Sequence, residues 1–316
     1  MSNLVFAINV VVPLFMLIVT GYVARCMKFV SDSFWQEANR FVFRFPLPLM
    51  LFQNVRAAFQ GEFTGTRLMI SAFVGIVVVI VLLSFVTPLW VKRKGRAGSL
   101  IQGMYRSNFI IYGLPLAQSM YGDAATVPVA CLLGVVVPVY NVSAIIILTF
   151  FSETRSTASL SFWGITKDIL RNPLIIACIA GGIVGATGLS FTIVVESPIE
   201  EMAKLAAPLA LFVMGAEFRF RNLRSNLPPV IIASLTKLII IPLIAIVIFI
   251  CMGFRQMDLA VLLCLFATPT AVMSFIMSDN MGCDGELSAQ IVVLTTALSA
   301  LTIFLFIFVL RTVGYL

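Results

Sequence analysis

Two stretches of this chain combine the apolar character of a bilayer span with residues that interrupt one. The first is NFIIYGLPLAQSMYG, Asn108 to Gly122; the second is FATPTAVMSFIMSDNMG, residues 266–282. Proline has no amide hydrogen and clashes with the carbonyl four residues back. Breaks are therefore predicted at Gly113 and Pro115 in the first stretch and at Pro269 in the second. In lipid, a broken helix persists only where protein or a watery cavity satisfies the released backbone groups. If two such helices cross, their half-helix N-termini aim positive dipole ends and free amides at one spot. That spot suits an anion, and a carboxylate is the simplest small one. The candidate contributors are Asn108, Tyr112, Gly113 and Pro115 from the first stretch, and Thr268, Pro269, Thr270 and Ser274 from the second. The plainer alternative is a pair of kinked helices that only pack.

Outside these stretches, Lys237 is the lysine that lies well inside an apolar run. An ionisable group at that depth is costly and marks a candidate charge or coupling residue. Snorkelling to the nearer face is the alternative. Gln53 and Asn54, at the end of a span, suit an outer vestibule or an interface. Glu217 beside Arg219 and Arg221 reads as a loop charge, and Asn141 with Ser143 as helix–helix glue. The chain has no histidine, and its six cysteines are dispersed without a C-x-x-C spacing, so neither a metal nor a cofactor is expected. It carries no G-x-x-x-x-G-K-[ST], H-E-x-x-H or G-x-S-x-G motif, so it is not read as an enzyme.

The elements that must position these residues are membrane spans. Hydrophobic residues make up 60% of the chain and charged ones 11%, with a mean hydropathy of +1.07. That is too much apolar surface for a soluble domain, so an all-α polytopic membrane protein follows. About 20 residues cross the hydrocarbon, and ten runs qualify. They are Leu4–Ala24, a run holding FPLPLMLF (45–52) after an amphipathic stretch from Ser31 to Arg40, Leu68–Trp90, the first interrupted stretch, and Val127–Phe151. Then come the run from RNP (171–173) to Leu189, Met202–Ala216, Val230–Gly253, Leu259–Met281 and Leu287–Leu310. No basic region precedes the first run, so it reads as a span and not as a signal peptide.

Laid on itself with a shift of 160, the chain brings Pro13-Leu14 onto Pro173-Leu174, Gly21 onto Gly181, Pro48-Leu49 onto Pro208-Leu209, Leu51-Phe52 onto Leu211-Phe212 and Gly122 onto Gly282. Two units of five spans are expected, residues 1–151 and 168–316, joined by a short cytoplasmic linker at 152–167. An odd span count turns the second unit over, which is the inverted repeat of secondary transporters, with spans four and nine discontinuous and crossing. With the N-terminus outside, fourteen Lys and Arg fall in cytoplasmic loops and five outside; Arg106 and Lys237 lie within spans. Both termini are thus predicted to be extracytoplasmic. The net charge of +7 lies in these loops and does not imply nucleic acid.

NRFV at 39–42 followed by PLPLMLF, RNP at 171–173, and above all N-x4-G-x-P-L-x3-MYG at 108–122 resemble the auxin efflux carrier family almost end to end. That family includes plant carriers and bacterial carboxylate transporters. The resemblance implies a scaffold domain, a transport domain and a homodimer. It also implies a substrate site at the crossing, with Asn108, Gly113, Pro115 and Pro269 at the crossing point and a basic residue at Lys237. Leu51 and Ser274 depart from the plant pattern, which argues against auxin itself. The expected function is a bacterial inner-membrane carrier of small organic anions working by alternating access, by efflux or loose proton coupling. A sodium-coupled organic-anion symporter of related fold is the alternative.

Overall fold

The computed structural model describes residues 2–60, 65–154, 171–218 and 220–316. The linker predicted at 152–167 lies, from 155 onward, outside these residues. Among them every regular element is helical, and the only extended pairing is a single bridge. In the first half the helices are α1 (Ser2–Cys26), α2 (Asp32–Arg44), α3 (Pro46–Gln60), α4 (Thr66–Trp90), α5 (Lys94–Tyr105), α6 (Phe109–Tyr121) and α7 (Thr126–Phe150). In the second they are α8 (Pro173–Thr187), α9 (Ile193–Lys204), α10 (Ala206–Glu217), α11 (Phe220–Leu235), α12 (Ile241–Cys251), α13 (Gln256–Ala267), α14 (Met273–Asn280) and α15 (Gly285–Val313).

Among the described residues, four helical stretches are long and apolar enough to cross a membrane: Thr66–Trp90, Val127–Phe150, Asn226–Cys251 and Gly285–Val313. Phe15–Cys26, Pro173–Thr187 and Gln256–Ala267 are shorter apolar helices. Their boundaries carry local signals. Asn172 caps α8 by accepting from the Leu174 amide at 2.9 Å, with Pro173 in the first turn. Asp284 caps α15 through the Leu287 amide at 3.0 Å. A π-helical turn, Thr236–Ile240, joins α11 to α12 just before Pro242. That proline cannot donate to the carbonyl of Leu238, and widening the turn relieves the clash.

α3 lies along α8, and α1 along α10. These contacts are reciprocal. A Cβ on Gly21 would lie 1.9 Å from the carbonyl oxygen of Phe212, and one on Gly181 would lie 2.4 Å from that of Phe52. Each partner is the other's counterpart under the shift of 160, so the two helix pairs repeat one contact. Only glycine permits backbones this close.

Buried apolar side chains form two main clusters. One centres on α4, α6, α7, α12 and α13; the other joins α2 and α3 to α8, α10 and α14. The two interruptions expected from the sequence lie where these clusters meet.

Candidate functional site

The predicted first break is displaced. α6 runs unbroken through Gly113 and Pro115, and the helix is interrupted upstream, at Arg106, Ser107 and Asn108. Gly113 serves packing instead: a Cβ there would come within 2.6 Å of the Phe109 ring. The chain leaves the helix where another strand of backbone can satisfy it. That partner is the second interruption, between Ala267 and Met273, which does fall at Pro269 as expected.

The two interruptions cross and pair. Asn108 donates its amide to the Pro269 carbonyl at 2.8 Å, and Ala271 donates to the Arg106 carbonyl at 3.0 Å. Ser107 and Thr270 thus form an isolated antiparallel bridge. Each gap supplies what the other lacks, which removes the penalty for unpaired backbone at this depth. Thr270 ties the crossing further, donating its hydroxyl to the Gly103 carbonyl at 2.6 Å and its amide to Thr295 Oγ1 at 3.2 Å.

Two helices begin at the crossing. The first amides of α6 follow Asn108. In α14 the first turn is tightened by Ser274 donating to the Ala271 carbonyl at 2.9 Å and Phe275 to that of Val272 at 3.2 Å. Among the described residues the amides of Val272 and Met273 have no backbone acceptor. A cavity of 450 Å³ opens onto this point, bounded by Arg106, Ser107, Asn108, Phe109 and Ile111 on one side and Ala271, Val272 and Met273 on the other. α3 supplies Met50, Leu51, Gln53 and Asn54, and α7 supplies Val136, Val137, Tyr140 and Asn141. The size suits a small molecule.

The floor is buried, whereas Glu196 and Lys204 at the mouth are not. Arg106 is 4% exposed and donates from Nη2 to Asn141 Oδ1 at 2.7 Å and from Nη1 to Met277 Sδ at 2.7 Å. Asn108 is buried, and its Nδ2 has no partner among the described residues. At the mouth, Arg56 grips Glu196 at 2.7 and 2.8 Å, Gln53 donates to Glu196 at 3.4 Å, and Lys204 pairs with Glu200 at 2.9 Å. Hydrogen bonds from Arg56, and then from Gln53, hold the Glu196 carboxyl below its usual range.

Of the residues singled out in the sequence, Asn108 and Gln53 line this cavity. Pro269 and Thr270 build the crossing without facing the cavity. Thr268 and Ser274 are fully buried, with hydroxyls that have no partner among the described residues. Tyr112 is buried and turns toward Ser299 on α15. Lys237 is fully buried behind the crossing and donates to Ser107 Oγ and, at 3.3 Å, to the Phe266 carbonyl. Arg106 escaped the sequence reading as a site residue, although a cation inside a span carried the same signal as Lys237.

The sequence model of a family described as membrane transport protein matches residues 6–307. A candidate malonate transporter of Rhizobium meliloti (strain 1021) is 26% identical over 313 residues, covering 96% of each chain. Auxin efflux carrier component 8 of Arabidopsis thaliana is 28% identical over 172 residues, 52% of this chain and 46% of that one. An uncharacterized transporter of Methanothermobacter thermautotrophicus is 21% identical over 300 residues, 93% of this chain and 95% of its own.

Proposed function

Because this chain belongs to the membrane transport protein family, that of the auxin efflux carriers, we propose that it carries small organic anions by alternating access. The observation that supports this most is the crossing itself. Two helix N-termini and a buried arginine converge on one cavity, a concentration of positive potential with no acidic side chain at its floor. The relatives' names, one malonate and one auxin, are both of carboxylates.

The architecture proposed with it is ten spans in two inverted five-helix units, 1–151 and 168–316. The order of helices supports it. α1, α2–α3, α4, α5–α6 and α7 are matched in turn by α8, α9–α10, α11–α12, α13–α14 and α15, and the Gly21 and Gly181 contacts repeat each other. On this reading both termini face outward, the assembly is a homodimer in a bacterial inner membrane, and the cavity opens outward.

Moving one negative charge outward across an inside-negative potential of 100 mV gains about 2.3 kcal/mol. Export therefore needs no coupling ion. A sodium-coupled symporter is the competing mechanism, and sodium-dependent transport would favour it.

A thermal-shift screen of the purified protein against mono- and dicarboxylates tests the proposal. At least one carboxylate should raise the melting temperature. Asn108→Ala should weaken that ligand by about tenfold, the loss of one hydrogen bond to a charged group. A screen with no carboxylate hit would count against the carrier reading.

A further inference from the structure

Among the described residues, no acidic group compensates the charge of Arg106. Its bonds go to the amide oxygens of Asn141 and Gln102 and to the Met277 thioether, all neutral, and the thioether is a weak acceptor. Among the described residues it makes no ion pair, whereas Arg56, Arg93 and Lys204 all do. A guanidinium has five donors in a fixed fork that matches a carboxylate. Of the two buried cations at the crossing, Lys237 lies behind Ser107, and Arg106 is the one that an occupant of the cavity can touch.

We propose that Arg106 is the cation that binds the substrate carboxylate, and that its uncompensated charge makes the carrier an exchanger, which returns loaded far more readily than empty. This rests on the carrier reading above. Alternating access requires the cavity to close over Arg106 between its two open forms. With a carboxylate paired to it, the closed form encloses a neutral, hydrogen-bonded pair. Empty, the closed form encloses a lone cation cut off from water, and an unpaired buried charge is strongly unfavourable. The empty return is therefore the slow step, and substrate on the far side removes it.

The experiment uses the full chain in proteoliposomes with the membrane potential clamped at zero, and carbon-14 malonate and carbon-14 butyrate as probes. Uptake is measured into vesicles holding the same unlabelled carboxylate and into vesicles holding none. We expect preloading to speed uptake of the transported probe by about tenfold or more, the scale set by a charge inside a membrane. In Arg106→Gln, the ratio should fall to near one and affinity should drop; Arg106→Lys should keep the ratio. Equal rates in both vesicle types for the unaltered protein would overturn the inference and leave the carrier reading intact. So would an undiminished ratio in Arg106→Gln. Transport of neither probe in either mode, with no thermal-shift hit, would withdraw the carrier reading and this inference with it. If the glutamine variant does not fold, the ratio in the unaltered protein still decides.

Discussion

Arg106 and Lys237 are both buried cations beside one crossing, yet they face different things. Arg106 looks into the cavity, while Lys237 holds Ser107 and the Phe266 carbonyl from behind. Lys237 therefore acts on the position of the bridge and not on the ligand. Replacing a buried charge by an apolar side chain of similar length is often neutral for stability, because desolvation offsets its bonds. Lys237→Met should thus change the melting temperature little while lowering transport. A large fall in melting temperature with unaltered transport would assign it to the fold alone. Asn108 lines the cavity beside Arg106. Tyr112, one turn further along α6, is directed at Ser299 of α15 instead.

At the scale of elements, the lesson is where a helix breaks. Proline and glycine at 113–115 looked like the weak point, but a proline inside a helix removes one donor and leaves the rest of the ladder in place. The three-residue gap at Arg106–Asn108 frees more backbone, and it survives because the gap around Pro269 lies against it and exchanges two hydrogen bonds. Pro115→Ala should therefore leave carboxylate affinity within about twofold, a change of a few tenths of a kcal/mol. A larger loss in the binding titration would return Pro115 to the site. The close approaches are stricter. Gly21→Val or Gly181→Val places a side chain on a carbonyl oxygen and should destabilise by about 1–3 kcal/mol, seen as a lower melting temperature. An unchanged melt for both would mean that α1–α10 and α3–α8 are not packed as described.

Across the whole molecule, the mouth of the cavity is bridged by Arg56 of α3 and Glu196 of α9, which ties the two sides of the vestibule. The Glu196 carboxyl is held below its usual value, so the folded form binds its proton less readily than the unfolded chain. The stabilisation is present above the ordinary glutamate range, around 4.3, and is lost as pH falls through the lowered folded value. The melting temperature of the unaltered protein should fall on acidification more steeply than that of Glu196→Gln. Parallel curves for the two would show that the pair adds nothing.

Composition and hydrophobic run length determined by themselves that the chain is helical and membrane-embedded, since a run of about 20 apolar residues satisfies its polar backbone groups in lipid as a helix. The 160-residue shift was also legible, because close helix packing demands small residues at matched positions and Gly21 and Gly181 record it. What the tertiary structure decided was which backbone groups find partners across the crossing. The break moved from Pro115 to Asn108, Thr270 became a strut, and Arg106 became the cation at the cavity floor. Those outcomes depend on contacts between residues more than 160 positions apart, such as Asn108 with Pro269, and no local pattern encodes them.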